Sequence, residues 1–91
     1  MLIVSQDKEE IVNFDKVESI WICSDEEGRF TIEATADTNS TLGYYETKER
    51  AKEVLQEIVK EYENVKAIFD CETGKLKNFI NRPKIYKMPE K

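Results

Sequence analysis

Apolar and polar positions change period near residue 47. Before it, apolar residues come in short runs or alternate every second position; after it they recur at three- and four-residue steps. The first pattern predicts strands and the second a helix. Leu2 to Gln6 reads as a short strand, Asp7 to Glu9 as a turn, and Ile11 to Phe14 as the antiparallel return. Val17 to Ser24 is the next expected strand, with Ile20 and Ile22 on one face and Val17, Ser19, Trp21 and Cys23 on the other, so both faces carry apolar groups. Asp25-Glu26-Glu27-Gly28 predicts a hairpin turn in which the glycine supplies a positive φ. Arg29 to Ala36 alternates cleanly: Phe30, Ile32, Ala34 and Ala36 are expected inward, Arg29, Thr31, Glu33 and Thr35 outward. A polar loop, Asp37 to Ser40, leads to a last strand from Thr41 to Glu46.

From Thr47 onward the pattern is helical. Thr47 is placed to N-cap, and Ala51, Val54, Leu55, Ile58, Val59 and Tyr62 make one apolar stripe expected to lie on the sheet. On the solvent side Glu49, Glu53, Glu57 and Glu61 follow at i+4 steps, roughly 6 Å apart along the axis. Like charges so spaced cost a few tenths of a kcal/mol per pair, with Lys52 and Lys60 as partial relief. The ridge is either a solvated face or a surface that mimics nucleic-acid phosphates toward a basic partner.

The last third carries weaker signals. Val65 to Cys71 suits a strand or a prolonged helix; Leu76, Phe79 and Ile80 have helical spacing after Thr73-Gly74, Pro83 stops whatever precedes it, and Lys84 to Met88 reads as extended. A short second helix or a hairpin is expected here. Phe69, Leu76, Phe79, Ile80, Tyr86 and Met88 need cover, which the sheet face bearing Trp21 and Cys23 offers; a second subunit is the other way to cover that face. The expected fold is a single α+β domain. An antiparallel β-meander of about five short strands (1–46) packs against one amphipathic helix (47–63), followed by a C-terminal segment (64–91) with a short helix or strand element and a basic tail.

Charge sharpens the division. Through residue 74 the chain has 8 Lys/Arg against 18 Asp/Glu, and from residue 75 on 6 against 1, so an acidic body carries a basic tail within a net charge of −5. Lys75, Lys77, Arg82, Lys84 and Lys87 either fold back on the body as weak exposed ion pairs or form a phosphate-facing patch or subunit contact. Net acidity argues against generic nucleic-acid binding, which depends on a positive field. With 91 residues, no signal-peptide core and no run near the ~20 apolar residues of a membrane span, the chain is expected to be a soluble intracellular protein without a leader. Cys23 and Cys71 are expected as buried reduced thiols rather than a bridge.

Catalytic chemistry narrows by inventory. The chain has no histidine, which removes Ser-His, Cys-His and histidine-based metal chemistry. Asp37-x-Asn39-x-Thr41 hints at a calcium loop, but Leu42 stands where that loop needs glycine and Lys48 where it needs glutamate. Three glycines in no phosphate-loop or dinucleotide pattern build no phosphate cradle. No cofactor, metal or enzymatic activity is expected. The residues suited to a small planar or anionic ligand are Trp21, Arg29, Tyr45, Arg82 and Tyr86, because aromatic faces stack on bases and guanidinium groups fork onto phosphates. Tyr44 has the same character, but it points to the opposite face of its strand from Tyr45, so at most one of the two is expected in any given pocket.

Four stretches stand out: Met1-Leu2-Ile3-Val4-Ser5-Gln6-Asp7-Lys8, then Ile11-Val12-Asn13-Phe14-Asp15-Lys16-Val17-Glu18-Ser19-Ile20, then Leu42-Gly43-Tyr44-Tyr45-Glu46-Thr47-Lys48-Glu49-Arg50-Ala51-Lys52-Glu53-Val54-Leu55, and Tyr86-Lys87-Met88-Pro89-Glu90. In these motifs the chain resembles a family of small uncharacterised proteins of Gram-positive bacteria, their prophages and other mobile elements. The resemblance implies a context, a mobile-element protein in the cytoplasm of a bacterial host cell, where small acidic proteins often inhibit or divert host defences, and transfers no functional residue. Two roles follow as expectations. One is an oligomeric sponge that sequesters a nucleotide-like host-defence signal through Trp21, Arg29, Tyr45, Arg82 and Tyr86. The other is an inhibitor or adaptor that presents Glu49, Glu53, Glu57 and Glu61 to a host defence protein.

Overall fold

The computed structural model describes residues 1–70 and 84–91. Its elements run β1 (Leu2–Val4), β2 (Ile11–Asn13), a 3-10 turn (Phe14–Lys16), β3 (Ser19–Ser24), β4 (Phe30–Thr35), β5 (Asn39–Tyr45), α1 (Lys48–Asp70) and β6 (Ile85–Lys87). The fold is α+β, as expected. The strands divide into two three-stranded sheets, ordered β2-β1-β6 and β3-β4-β5, where the sequence suggests one meander. The 3-10 turn makes the division. Asn13 Oδ1 accepts from Asp15 N (3.0 Å) and Phe14 O accepts from Val17 N (3.1 Å), so the chain bends between β2 and β3. β2 returns antiparallel to β1, and β6 pairs with the other side of β1 in parallel, with Ile3 opposite both Val12 and Tyr86.

The β3-β4 hairpin is built by Asp25. Its carboxylate accepts from the Glu27 and Arg29 backbone N–H groups (3.0 and 2.8 Å), and Gly28 takes φ +85° to close the loop. Thr31, expected outward, is buried, because Cys23 and Tyr44 flank it in register on the two neighbouring strands. β5 begins at Asn39, so the polar loop is shorter than the sequence suggests. A bulge between Ile32 and Glu33 of the β4-β5 pairing admits Leu42 as an extra residue, and Leu42 is buried in the core.

Thr47 caps α1 as expected: its Oγ1 accepts from Arg50 N and its carbonyl from Ala51 N, both at 3.1 Å. Ala51, Val54 and Ile58 are wholly buried, in one cluster with Ile3, Ile32, Ala34 and Leu42. Val59, expected in the stripe, is 43% exposed. At 100° per residue it stands about 100° from Ile58, on the flank of the buried stripe. Over residues 65–70 the helical alternative holds, so α1 runs past the expected boundary at 63. Cys23, expected buried, is an exposed free thiol, because it stands on the face of β3 turned away from Ile20 and Ile22. The suggested second helix or hairpin around residues 76–80, together with Cys71, Lys75, Lys77 and Arg82, lies outside the described residues.

Gln6 ties the two sheets together. Its backbone N–H donates to Leu42 O (2.7 Å), its Oε1 accepts from Tyr44 N (2.8 Å) and its Nε2 donates to Tyr44 O (2.9 Å). The side-chain amide thus closes the outer edge of β5 as a neighbouring strand would. The same Nε2 reaches Pro89 O (3.1 Å) and Glu90 O (3.0 Å), holding the segment after β6. Gln6→Ala should cost about 1–2 kcal/mol. Its signature is faster amide exchange at Tyr44; unchanged exchange there would contradict the role.

Candidate functional site

The β3-β4 hairpin, the β5-α1 junction and the residues after β6 converge on a cleft of about 590 Å³. Arg29, Tyr44, Tyr45, Glu46, Thr47, Arg50, Glu90 and Lys91 line it. Each is positioned by a feature already described. Arg29 follows Gly28 at the hairpin end, Tyr44 and Tyr45 end β5, Thr47 caps α1, and Arg50 occupies its first turn.

Arg29 is held on three sides. Its Nε donates to Asp25 Oδ2 (2.9 Å), its Nη2 lies 3.2 Å from Glu27 Oε2, and its Cζ sits 4.6 Å above the centroid of the Tyr44 ring. The hydrogen bond to Asp25 pushes its pKa further up, so the cation is permanent. Tyr44 keeps 43% of its surface exposed and offers an aromatic platform beside that cation. Arg50 donates from Nε to Lys91 O (2.9 Å) and from Nη1 to Glu53 Oε1 (3.3 Å), which fixes a second guanidinium near the helix N-terminus. The helix dipole there adds to the attraction for an anion.

Beneath the cleft lie two committed phenols. Tyr45 is buried and its hydroxyl donates to Pro89 O (2.8 Å); burial pushes its pKa up to about 12, against the pull of Arg50 and with Glu57 adding. Tyr86 is buried and donates to Glu57 Oε1 (2.9 Å); burial first, then the hydrogen bond to that carboxylate, pushes its pKa well up. Both groups are stabilised neutral in the folded chain, so their contribution is intact below pH ~10 and lost as pH rises through the folded values. Alkaline unfolding should therefore set in above pH ~10. Tyr45→Phe together with Tyr86→Phe should flatten that dependence, and an unchanged profile in the double variant would contradict the assignment.

The residues singled out from sequence do not form one site. Arg29 and Tyr45 line the cleft. Tyr86 belongs to the core, Trp21 stands 36% exposed on the outer face of β3, and Arg82 lies outside the described residues. Tyr44, Glu46, Thr47, Arg50, Glu90 and Lys91 complete the cleft, and of these only Tyr44, by its aromatic ring, and Thr47, as a cap, had a local signal. The Glu49, Glu53, Glu57, Glu61 ridge is not the straight solvated row that i+4 spacing suggests. Each step of four residues advances about 400° around the axis, so the row drifts about 40° per step toward the buried stripe. Glu57 meets Tyr86, the half-buried Glu61 pairs with Lys84, and Glu53 pairs with Arg50.

Among the described residues no three His, Cys, Asp or Glu side chains converge as a metal site requires, and no helix is long and apolar enough to cross a membrane. The chain matches no protein-family model, no curated protein and no solved structure. The resemblance drawn from its motifs therefore stands on those motifs alone.

Proposed function

We propose that this protein is a non-catalytic binding protein that holds a planar, anionic, nucleotide-like ligand in the cleft between Arg29, Tyr44 and Arg50. The observation that carries it is the Arg29 guanidinium fixed over the exposed Tyr44 ring, with Arg50 set across the same cleft. A base stacks on the aromatic or guanidinium plane, and a phosphate takes the guanidinium of Arg50 at the capped end of α1. The sequence resemblance to proteins of mobile elements directs the reading to host-defence signals, sequestered intact by an assembly of more than one copy. The alternative, an acidic helix face docking on a basic protein, is supported less, because three of its four carboxylates already have partners within the chain.

The test is a titration with adenosine monophosphate, adenosine and inorganic phosphate, followed by backbone amide shifts. Adenosine monophosphate should perturb Arg29, Tyr44 and Thr47, and Arg50→Ala should weaken it about tenfold or more, as expected for loss of a charge-assisted contact. Shifts scattered away from the cleft, or equal affinity in Arg50→Ala, would refute the assignment.

A further inference from the structure

β3 is the outer strand of its sheet, and among the described residues no strand pairs with its far side. The opposite edge, β5, is closed by Gln6 and by Ser40 Oγ donating to Glu10 Oε2 (2.7 Å). The edges of the other sheet, β2 and β6, are three residues each. β3 differs from all of these. It reads Ser19-Ile20-Trp21-Ile22-Cys23-Ser24, with no charge, proline or glycine, the devices that ordinarily blunt an edge. Asp25 N donates to Arg29 O (2.8 Å), so ladder alternation directs odd-numbered backbone groups to β4 and those of Ile20, Ile22 and Ser24 outward.

We propose that β3 pairs antiparallel with β3 of a second copy, joining two three-stranded sheets into one across a two-fold axis. It goes beyond the cleft and does not depend on it. A two-fold axis normal to the sheet keeps the helix-bearing faces on one side, so residues of equal parity must oppose each other. Centred on Trp21, the pairing sets Trp21 against its own copy, Ile20 against Ile22 and Ser19 against Cys23. Ile20 and Ile22, half-buried in one copy, then extend a shared core. Charge favours self-pairing in this register: Glu18 falls opposite Ser24, not opposite Asp25, so two chains of net charge −5 meet through an uncharged strand with no like charges face to face. A foreign strand would find no charged side chain on β3 to select it.

Sedimentation equilibrium of the full chain tests this. The wild type should pass from monomer to dimer with rising concentration, and the Ile20 and Ile22 amides should gain exchange protection in step. Trp21→Lys places two ammonium groups across the axis and should raise the dissociation constant at least about tenfold, as should Cys23→Lys, which faces Ser19 but sets a charge on the pairing edge that pairing would desolvate. Circular dichroism should show both variants folded, and Val59→Lys, on the exposed flank of α1, should dimerise as the wild type does. A wild type that stays monomeric, a dimer equally stable in both β3 variants, or a monomer whose β3 edge is taken by a foreign strand would each overturn the proposal.

Discussion

Ile32→Ala is expected to lower the unfolding free energy by about 3–4 kcal/mol and the melting temperature by roughly 15–25 °C. Ile32 is fully buried on β4, the central strand of its sheet, opposite Ile22 on one side and Gly43 on the other. Gly43 has no side chain to move into the void, and Val54 and Ile58 are held by a helix that is itself fixed at its cap. The cavity can shrink little, which places the loss in the upper part of the range for buried aliphatic truncations. A domain of this length has a total stability of about 5–13 kcal/mol, so the variant gives up a large share of it. Urea unfolding monitored by circular dichroism measures this directly. A loss under ~1 kcal/mol would mean that the sheet and helix repack, and that Ile32 is not central to the core.

Gly43→Ala is expected to cost about 1–3 kcal/mol, although no left-handed backbone is at stake. A Cβ at Gly43 would lie 3.0 Å from both Cε2 and the hydroxyl oxygen of Tyr45 and 3.2 Å from Cζ. The ring of Tyr45 is 2% exposed and its hydroxyl is tied to Pro89 O, so it yields only by releasing the segment after β6. Stability loss should thus come with faster amide exchange in residues 88–91. In a Tyr45→Leu background the same substitution should cost much less, because the clashing atoms are gone. Equal cost in both backgrounds would place its origin elsewhere.

The sequence shows most clearly what is local. Thr47 followed by Ala51, Val54 and Ile58 specifies a capped helix with a buried stripe, and Asp25 with Gly28 specifies a hairpin, because each depends on residues within a few positions. The division into two sheets is not local. β1 takes a partner from residues 85–87, and nothing near Leu2 announces a parallel neighbour that distant. Burial of Thr31 likewise depends on Cys23 and Tyr44 across two strand pairings, which a period-two pattern does not register. The drift of the glutamate row toward Tyr86 and Lys84 follows from helix geometry alone, but the identity of those partners does not. Of the cleft, Arg29 and either tyrosine at the end of β5 were visible by residue type; that both line it was not, because alternation sends them to opposite faces and the cleft wraps the end of the strand. Arg50 was not, because its role arises only when the chain returns after β6 to lay Lys91 against it.

The proposed binding of an intact small ligand in the cleft of Arg29, Tyr44 and Arg50 is open to one direct measurement. Native mass spectrometry after incubation with nucleoside mono- and diphosphates tests it most directly. The wild type should retain a mass equal to an unaltered nucleotide, and Arg50→Ala and Tyr44→Ala should lose it. Bare protein throughout, or a retained ligand indifferent to both substitutions, would contradict it.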